Sequence, residues 1–261
     1  MKGEFAKNYN NLARTIMITL EHITYEADGK KILDDISLSI TDRFVVITGP
    51  NGSGKSTLAK IIMGIIKPTS GRILFDGEDI TDLPINERAN RGISYAFQQP
   101  VHFKGLRVRD LLEIADKENS SLNYACEILS EVGLCARDYI DRELNGTLSG
   151  GEIKRIEIAM IAARGTKLSI FDEPEAGIDL WSFQNLIQIF EKLYEKTSGN
   201  ILIISHQERI LKIADKIIYM KDGHIEHYDS GKKILAFLET GNTSGTCSVL
   251  INKTPDNKKG E

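Results

Sequence analysis

Hydrophobic positions along the chain fall into two kinds of run. Phe44-Val45-Val46-Ile47-Thr48, Leu168-Ser169-Ile170-Phe171 and Ile201-Leu202-Ile203-Ile204 are short and nearly continuous. That is the pattern of parallel strands covered on both faces. Thr15 to Leu20 and Ile36 to Ile40 alternate or nearly alternate, which predicts strands with one covered face. Asp28-Gly29 between them predicts a hairpin turn. Arg72 to Phe75 followed by Asp76-Gly77, and Lys216 to Met220 followed by Lys221-Asp222-Gly223 and His224 to Tyr228, read as two more hairpins. Gly92 to Phe97 reads as a buried strand, which ends before Pro100 because proline cannot donate to a ladder.

Helical periodicity appears in Val108 to Ile114, Leu122 to Val132 and, over a longer span, Leu180 to Lys196. A helix is also expected over Ile153 to Arg164, and a short one over Gly231 to Leu238. Roughly Val101 to Thr147 therefore reads as a helical insertion, extending to about 150. Residues 1–14 read as a loose leader and 241–261, polar and Gly/Thr/Lys-rich, as a flexible tail. The domain between them is expected over 15–240. No internal repeat is visible.

The strand ending at Thr48 runs into Gly49-Pro50-Asn51-Gly52-Ser53-Gly54-Lys55-Ser56-Thr57, and Leu58 to Met63 then opens a helix. The spacing fits G-x-x-x-x-G-K-[ST] in the strand–turn–helix context that a phosphate loop requires. Glycines let the backbone approach closely, and successive N–H groups then line a concavity for phosphate oxygens. The helix start adds unpaired donors and the positive dipole end. Lys55 supplies a full charge for the outer phosphates and Ser56 a hydroxyl for Mg²⁺. The loop is expected to bind a nucleoside triphosphate. Upstream of it, Tyr25 could stack on an adenine face, a contact that reads no base edge.

A second constellation follows the strand Leu168 to Phe171, where Asp172-Glu173-Pro174 falls at the carboxyl end, the ligand-binding edge of open α/β sheets. Asp172 fits the acidic residue that holds Mg²⁺ in phosphate-loop enzymes, and Glu173 fits a group that polarises attacking water. Leu148-Ser149-Gly150-Gly151-Glu152 has two readings. Ser149-x-x-Glu152 is a helix capping box, and Gly150-Gly151 before a helix could equally form a second anion site. Spacing alone does not choose between them.

The 261 residues carry a net charge of −4 and a pI near 5.8. That balance argues against a nucleic-acid surface. Three cysteines, Cys126, Cys135 and Cys247, lack the even count or the spacing of a disulfide or metal framework. No run reaches the roughly 18 apolar residues of a membrane span, and Met1 to Asn11 has no signal-peptide character. A cytoplasmic chain is expected.

Together the motifs resemble the ABC ATPase family over about residues 15–238. The phosphate loop spans Gly49 to Thr57, the signature LSGGE spans Leu148 to Glu152, and the strand LSIFDE spans Leu168 to Glu173. Gln98, preceded by Phe97, matches the Q-loop glutamine. Ala176-Gly177-Ile178-Asp179 matches the D-loop, His206 the switch histidine and Tyr25 the A-loop aromatic. The resemblance implies an α/β fold of P-loop NTPase type, with a mostly parallel core sheet, an antiparallel β subdomain and a helical insertion. It also implies ATP hydrolysis with Mg²⁺ held by Ser56, Gln98 and Asp172. Glu173, His206 and Gln98 are its catalytic group. Two copies are expected to meet head to tail around two ATP, with Ser149, Gly150, Gly151 and Asp179 completing each site.

A finer likeness is to the SufC-type ATPase of iron–sulfur cluster assembly. It rests on Gly150-Gly151-Glu152-Ile153-Lys154-Arg155, on Asp172 to Asp179 and on Ser205 to Leu211. That implies a soluble SufB/SufD-like scaffold as partner. The alternative load is a membrane transporter subunit.

Overall fold

The computed structural model describes residues 18–240 apart from 102, 117–118, 120, 145–146 and 197–198, and their side chains except 180–182, 196 and 240. The expected leader, the start of the first predicted strand and the tail lie outside the described residues. The chain opens with β1 (Ile18–Ala27) and β2 (Lys30–Ile40), joined by Asp28-Gly29. Both turn residues have positive φ, 51° and 72°, the primed geometry that matches strand twist. Both strands are longer than their alternating cores suggested. Next come β3 (Phe44–Thr48) and α1 (Lys55–Met63), then β4 (Ser70–Phe75), β5 (Glu78–Asp79), α2 (Ile85–Asn90) and β6 (Ile93–Ala96).

The helical insertion is present as expected, with α3 (Val108–Ala115), α4 (Leu122–Glu131) and α5 (Ala136–Tyr139). The chain returns through α6 (Gly150–Arg164) to β7 (Leu168–Asp172), α7 (Leu180–Lys196), β8 (Asn200–Ile204) and α8 (Glu208–Ile213). It finishes with β9 (Lys216–Lys221), β10 (His224–Ser230) and α9 (Gly231–Thr240).

Two sheets result. One is antiparallel, in the order β2-β1-β4-β5; the other runs β10-β9-β3-β8-β7-β6. In the second, all neighbours are parallel except β10 on β9. Every residue of β3, β7 and β8 is buried, as continuous apolar runs require. Successive side chains serve opposite faces. Phe44 and Val46 join the core under the helices of the insertion and α6–α9, while Val45 and Ile47 join the core shared with α1 and the antiparallel sheet.

Register decides where function sits. Ile47 pairs with Ile204, Asp172 with Ile204, and Ala96 with Phe171. The carboxyl ends of β3, β6, β7 and β8 therefore lie along one edge. Whatever follows each strand is delivered there.

One core feature is absent from the sequence reading. Arg88, on α2, is 1% exposed. Its Nη1 donates to the carbonyls of Ile61 and Ile62 at 2.7 and 2.8 Å, its Nη2 to Thr81 at 2.8 Å and its Nε to Leu83 at 3.0 Å. The guanidinium thus adds donors to the last carbonyls of the phosphate-loop helix, where Ile61 also accepts the Gly64 N–H at 3.0 Å. Arg88→Ala strands several buried acceptors, each costing roughly 1–3 kcal/mol. We expect the urea midpoint to fall by an amount equivalent to at least about 3 kcal/mol at unchanged m. A midpoint within error of the parent would refute the role.

Candidate active site

The phosphate loop is held by close backbone contacts on two sides. A Cβ at Gly49 (φ 136°) would lie 1.9 Å from the Met220 carbonyl oxygen of β9. One at Gly54 (φ 94°) would lie 2.5 Å from Leu33 Cδ2 and 2.9 Å from the Ile32 carbonyl oxygen of β2. No other residue type fits either place.

Lys55, 5% exposed, folds back to donate to the carbonyls of Gly49 at 2.8 Å and Pro50 at 2.7 Å. Burial lowers its pKa, against the opposing pull of Glu173 and Asp172. A cation held this way sits beside the loop's N–H groups with its charge poorly compensated.

From the edge of β7, Asp172 accepts from Ser56 Oγ at 2.8 Å through Oδ1 and from Tyr95 at 2.7 Å through Oδ2. Tyr95 is an addition to the sequence reading. Burial, then the hydrogen bond to Asp172, raises its pKa and keeps it a donor. Glu173 follows with φ 44° and its N–H on the Ile204 carbonyl at 3.0 Å, a conformation that turns its side chain out of the strand line. Gln98 Nε2 donates to Glu173 Oε2 at 2.5 Å. His206 Nε2 stands 3.8 Å from Glu173 Oε1. The imidazole pKa is lowered by burial and by Lys55, with Glu173 opposing. The His206 ring is thereby held toward its neutral form.

A cleft of about 630 Å³ opens over the loop. Asn51, Gly52, Gly54, Lys55, Ser56, Thr57, Gln98 and Glu173 line it, so the two sequence constellations form one site. Its far end is lined by Lys30, Lys31, Ile32, Asp222 and Gly223, which sequence reading did not assign. Asp222-Gly223 carried only a turn signal, and nothing in a turn announces that β9–β10 docks on β2. That docking is direct: the Asp34 N–H donates to the Gly223 carbonyl at 3.1 Å.

Tyr25 is half-buried, pairs with Leu33 across β1–β2 and is not among the cleft-lining residues. Ser149, Gly150, Gly151 and Asp179 also lie outside the lining. Ser149 and Glu152 do form the capping box, with Ser149 N–H to Glu152 Oε2 at 2.6 Å and Glu152 N–H to Ser149 Oγ at 3.3 Å. Ser149 and Gly150 remain exposed, so capping leaves the helix start open to a second surface.

The residues fit Mg-ATP. Among the described residues the buried Ser53 hydroxyl has no hydrogen-bond partner and a Cβ at Gly52 would meet nothing within 4 Å, leaving open space beside the loop. Ser56 and Asp172 present oxygen donors side by side, the hard pair Mg²⁺ takes together with phosphate oxygens.

Comparison with known proteins places this geometry. The family model described as ABC transporter matches residues 33–176. An uncharacterised ABC transporter ATP-binding protein of Methanocaldococcus jannaschii is 36% identical, covering 93% of this chain and 98% of its own length. The lipopolysaccharide export ATP-binding protein LptB of Escherichia coli is 31% identical over 84% of this chain and 92% of its own. Among solved structures, an ATP-binding cassette of an ABC transporter superposes with a TM-score of 0.76 at 29% identity, covering 87% of this chain and 96% of that one. A dimeric post-hydrolysis cassette bound to ADP and Pi gives 0.71 at 27%, covering 82% and 98%.

Replacing Lys55 by Ala removes a charge-assisted contact of about 1.5–3 kcal/mol. We expect calorimetry to show ATP affinity reduced roughly 10- to 150-fold. In the same variant, the His206 titration followed by NMR should move upward, because a neighbouring positive charge is gone. Unchanged affinity would refute the loop assignment.

Proposed function

The chain belongs to the family of ABC transporter ATP-binding proteins, and on that premise we propose that it is the ATP-hydrolysing subunit of a membrane transporter. Cassettes of this family are ATPases that bind ATP with Mg²⁺, and the cleft described above is where that chemistry belongs. In our reading the loop N–H groups and Lys55 hold the phosphates. Ser56 and Asp172 are the residues that would hold the metal, with Gln98 beside it, and Tyr95 fixes the Asp172 carboxylate. Magnesium, when bound, neutralises charge on the β- and γ-phosphates. Glu173 orients the water and takes its proton, and neutral His206 donates a hydrogen bond to the γ-phosphate position. The out-of-cleft position of Ser149, Gly150, Gly151 and Asp179 supports a head-to-tail homodimer, in which each copy completes the other's site. Intact triphosphate then holds the halves together, and its loss releases them.

The observation that carries the transporter reading is an apolar groove next to Gln98. It is lined by Phe97, Val101, Phe103, Ile114, Leu144 and Met160, with a volume of about 270 Å³. Phe97, Val101, Phe103 and Ile114 are each at least 36% exposed. Gln98 touches the catalytic carboxylate and its chain neighbour Phe97 lines the groove, so the segment is placed to pass hydrolysis to a partner. An apolar-faced helix from a membrane subunit suits it.

The named relatives with an assigned role handle spermidine/putrescine import or lipopolysaccharide export, which favours this load over the iron–sulfur scaffold expected from the signature run. That run is also less telling than it reads. Lys154 is 2% exposed, donates to the Phe97 carbonyl and pairs with Glu157 at 3.4 Å. It anchors the segment bearing Gln98 to α6, a task independent of the partner. The expectation of a cytoplasmic chain is likewise narrowed: no helix among the described residues is long and apolar enough to cross a membrane.

Two experiments test this reading. Glu173→Gln should bind ATP, lose turnover and run as a dimer with two nucleotides in size-exclusion chromatography with Mg-ATP. Hydrolysis at the parent rate would move the catalytic role elsewhere. Tagged protein, fractionated gently, should be recovered with membranes at equal stoichiometry to a multi-span subunit. Recovery with a soluble scaffold instead would restore the iron–sulfur reading.

A further inference from the structure

Between Glu173 and the D-loop lies a carboxylate that the reading above does not use. Glu175 is half-buried, and its Oε1 accepts from Ser205 Oγ at 2.5 Å. The same Ser205 hydroxyl receives the Gln207 N–H at 3.0 Å, and Ser205 is fully buried. One carboxyl therefore grips the turn of residues 205–207 that presents His206. The other oxygen, Oε2, is buried with no hydrogen-bond partner among the described residues. Ordinary packing would avoid that cost, which buried polar groups repay chiefly by fixing one geometry.

On its other side Glu175 is tied into the D-loop. Its carbonyl accepts the Ile178 N–H at 3.2 Å, and Ala176 N–H donates to the Glu173 carbonyl at 2.9 Å. Gly177 in turn lies against the signature helix, its carbonyl oxygen 3.5 Å from where a Gly150 Cβ would stand. A set of hydrogen bonds thus runs from the D-loop through Glu175 to the Ser205 turn, with the start of the signature helix close to Gly177.

We propose that Glu175 is a positioning residue that holds the His206 turn against the D-loop. It acts through His206 and touches no substrate. Burial raises the Glu175 pKa, against the opposing pull of the Ser205 hydrogen bond. Glutamine keeps the shape and the oxygen that accepts from Ser205.

The inference rests on the reading that Glu173 and His206 carry out hydrolysis, and the test separates the two. Steady-state ATP hydrolysis is measured on the full chain and on Glu175→Ala, Glu175→Gln and Ser205→Ala. A displaced catalytic contact costs about 10- to 100-fold. Glu175→Ala and Ser205→Ala should each lose about that much kcat with KM for ATP within about twofold, because the phosphate loop is untouched. Glu175→Gln should keep kcat within about threefold of the parent, a rescue that a charge-based role would not allow. The Ala changes combined should cost no more than either alone, as expected of one shared contact. Should Glu175→Ala fail to fold, Ser205→Ala against Glu175→Gln carries the comparison. Lower thermal stability with parental kcat in Ser205→Ala would overturn the positioning role alone. A parent chain without turnover would overturn both readings.

Discussion

The site depends on two places where backbones meet with no room for a side chain. Gly49 lies against the Met220 carbonyl and Gly54 against Leu33 and the Ile32 carbonyl. These contacts fix the phosphate loop to β9 on one side and to β2 on the other, so both sheets converge on it. The cleft exists because of that convergence. Its phosphate end belongs to the loop, and its far end belongs to Ile32 and Gly223, the same segments that press on the glycines.

Parallel pairing supplies the other half of the arrangement. With β3, β8, β7 and β6 in register, four strand ends release the phosphate loop, the His206 turn, the Asp172-Glu173 pair and Gln98 along one edge. Burial then sets their electrostatics. Lys55 and His206 are both pushed toward neutrality, and each feels the carboxylates of the site in the opposite sense. Such a balance responds to added phosphate charge, since a triphosphate would strengthen the charged form of Lys55.

Much of this was legible in the chain. Continuous apolar runs marked the buried parallel strands because both their faces are covered, and the phosphate loop was legible because glycine and lysine there answer to local chemistry. The capping box at Ser149 was equally local. What escaped reading was set by tertiary contact. Tyr95 looks like any strand aromatic until β6 lies beside β7 and its hydroxyl meets Asp172. Arg88 sits in a six-residue helix too short for a periodic signal, yet it closes the end of α1. Lys30, Lys31 and Asp222 line the cleft only because two hairpins dock. Lys154, read as a mark of one subfamily, proves to be a buried anchor for the Phe97 carbonyl. Short motifs identify the engine well and the load poorly, since the load meets the protein through a groove assembled from distant segments.

The central claim is that a single nucleotide is gripped by the loop of one copy and the signature helix of another. Amide hydrogen exchange with and without Mg-ATP tests it most directly, using the hydrolysis-deficient Glu173→Gln chain so that the bound state persists. The account predicts slowed exchange at residues 49–57 and, in the same sample, at residues 148–152, with the second protection lost on dilution to monomer. Protection confined to 49–57 at every concentration would contradict it.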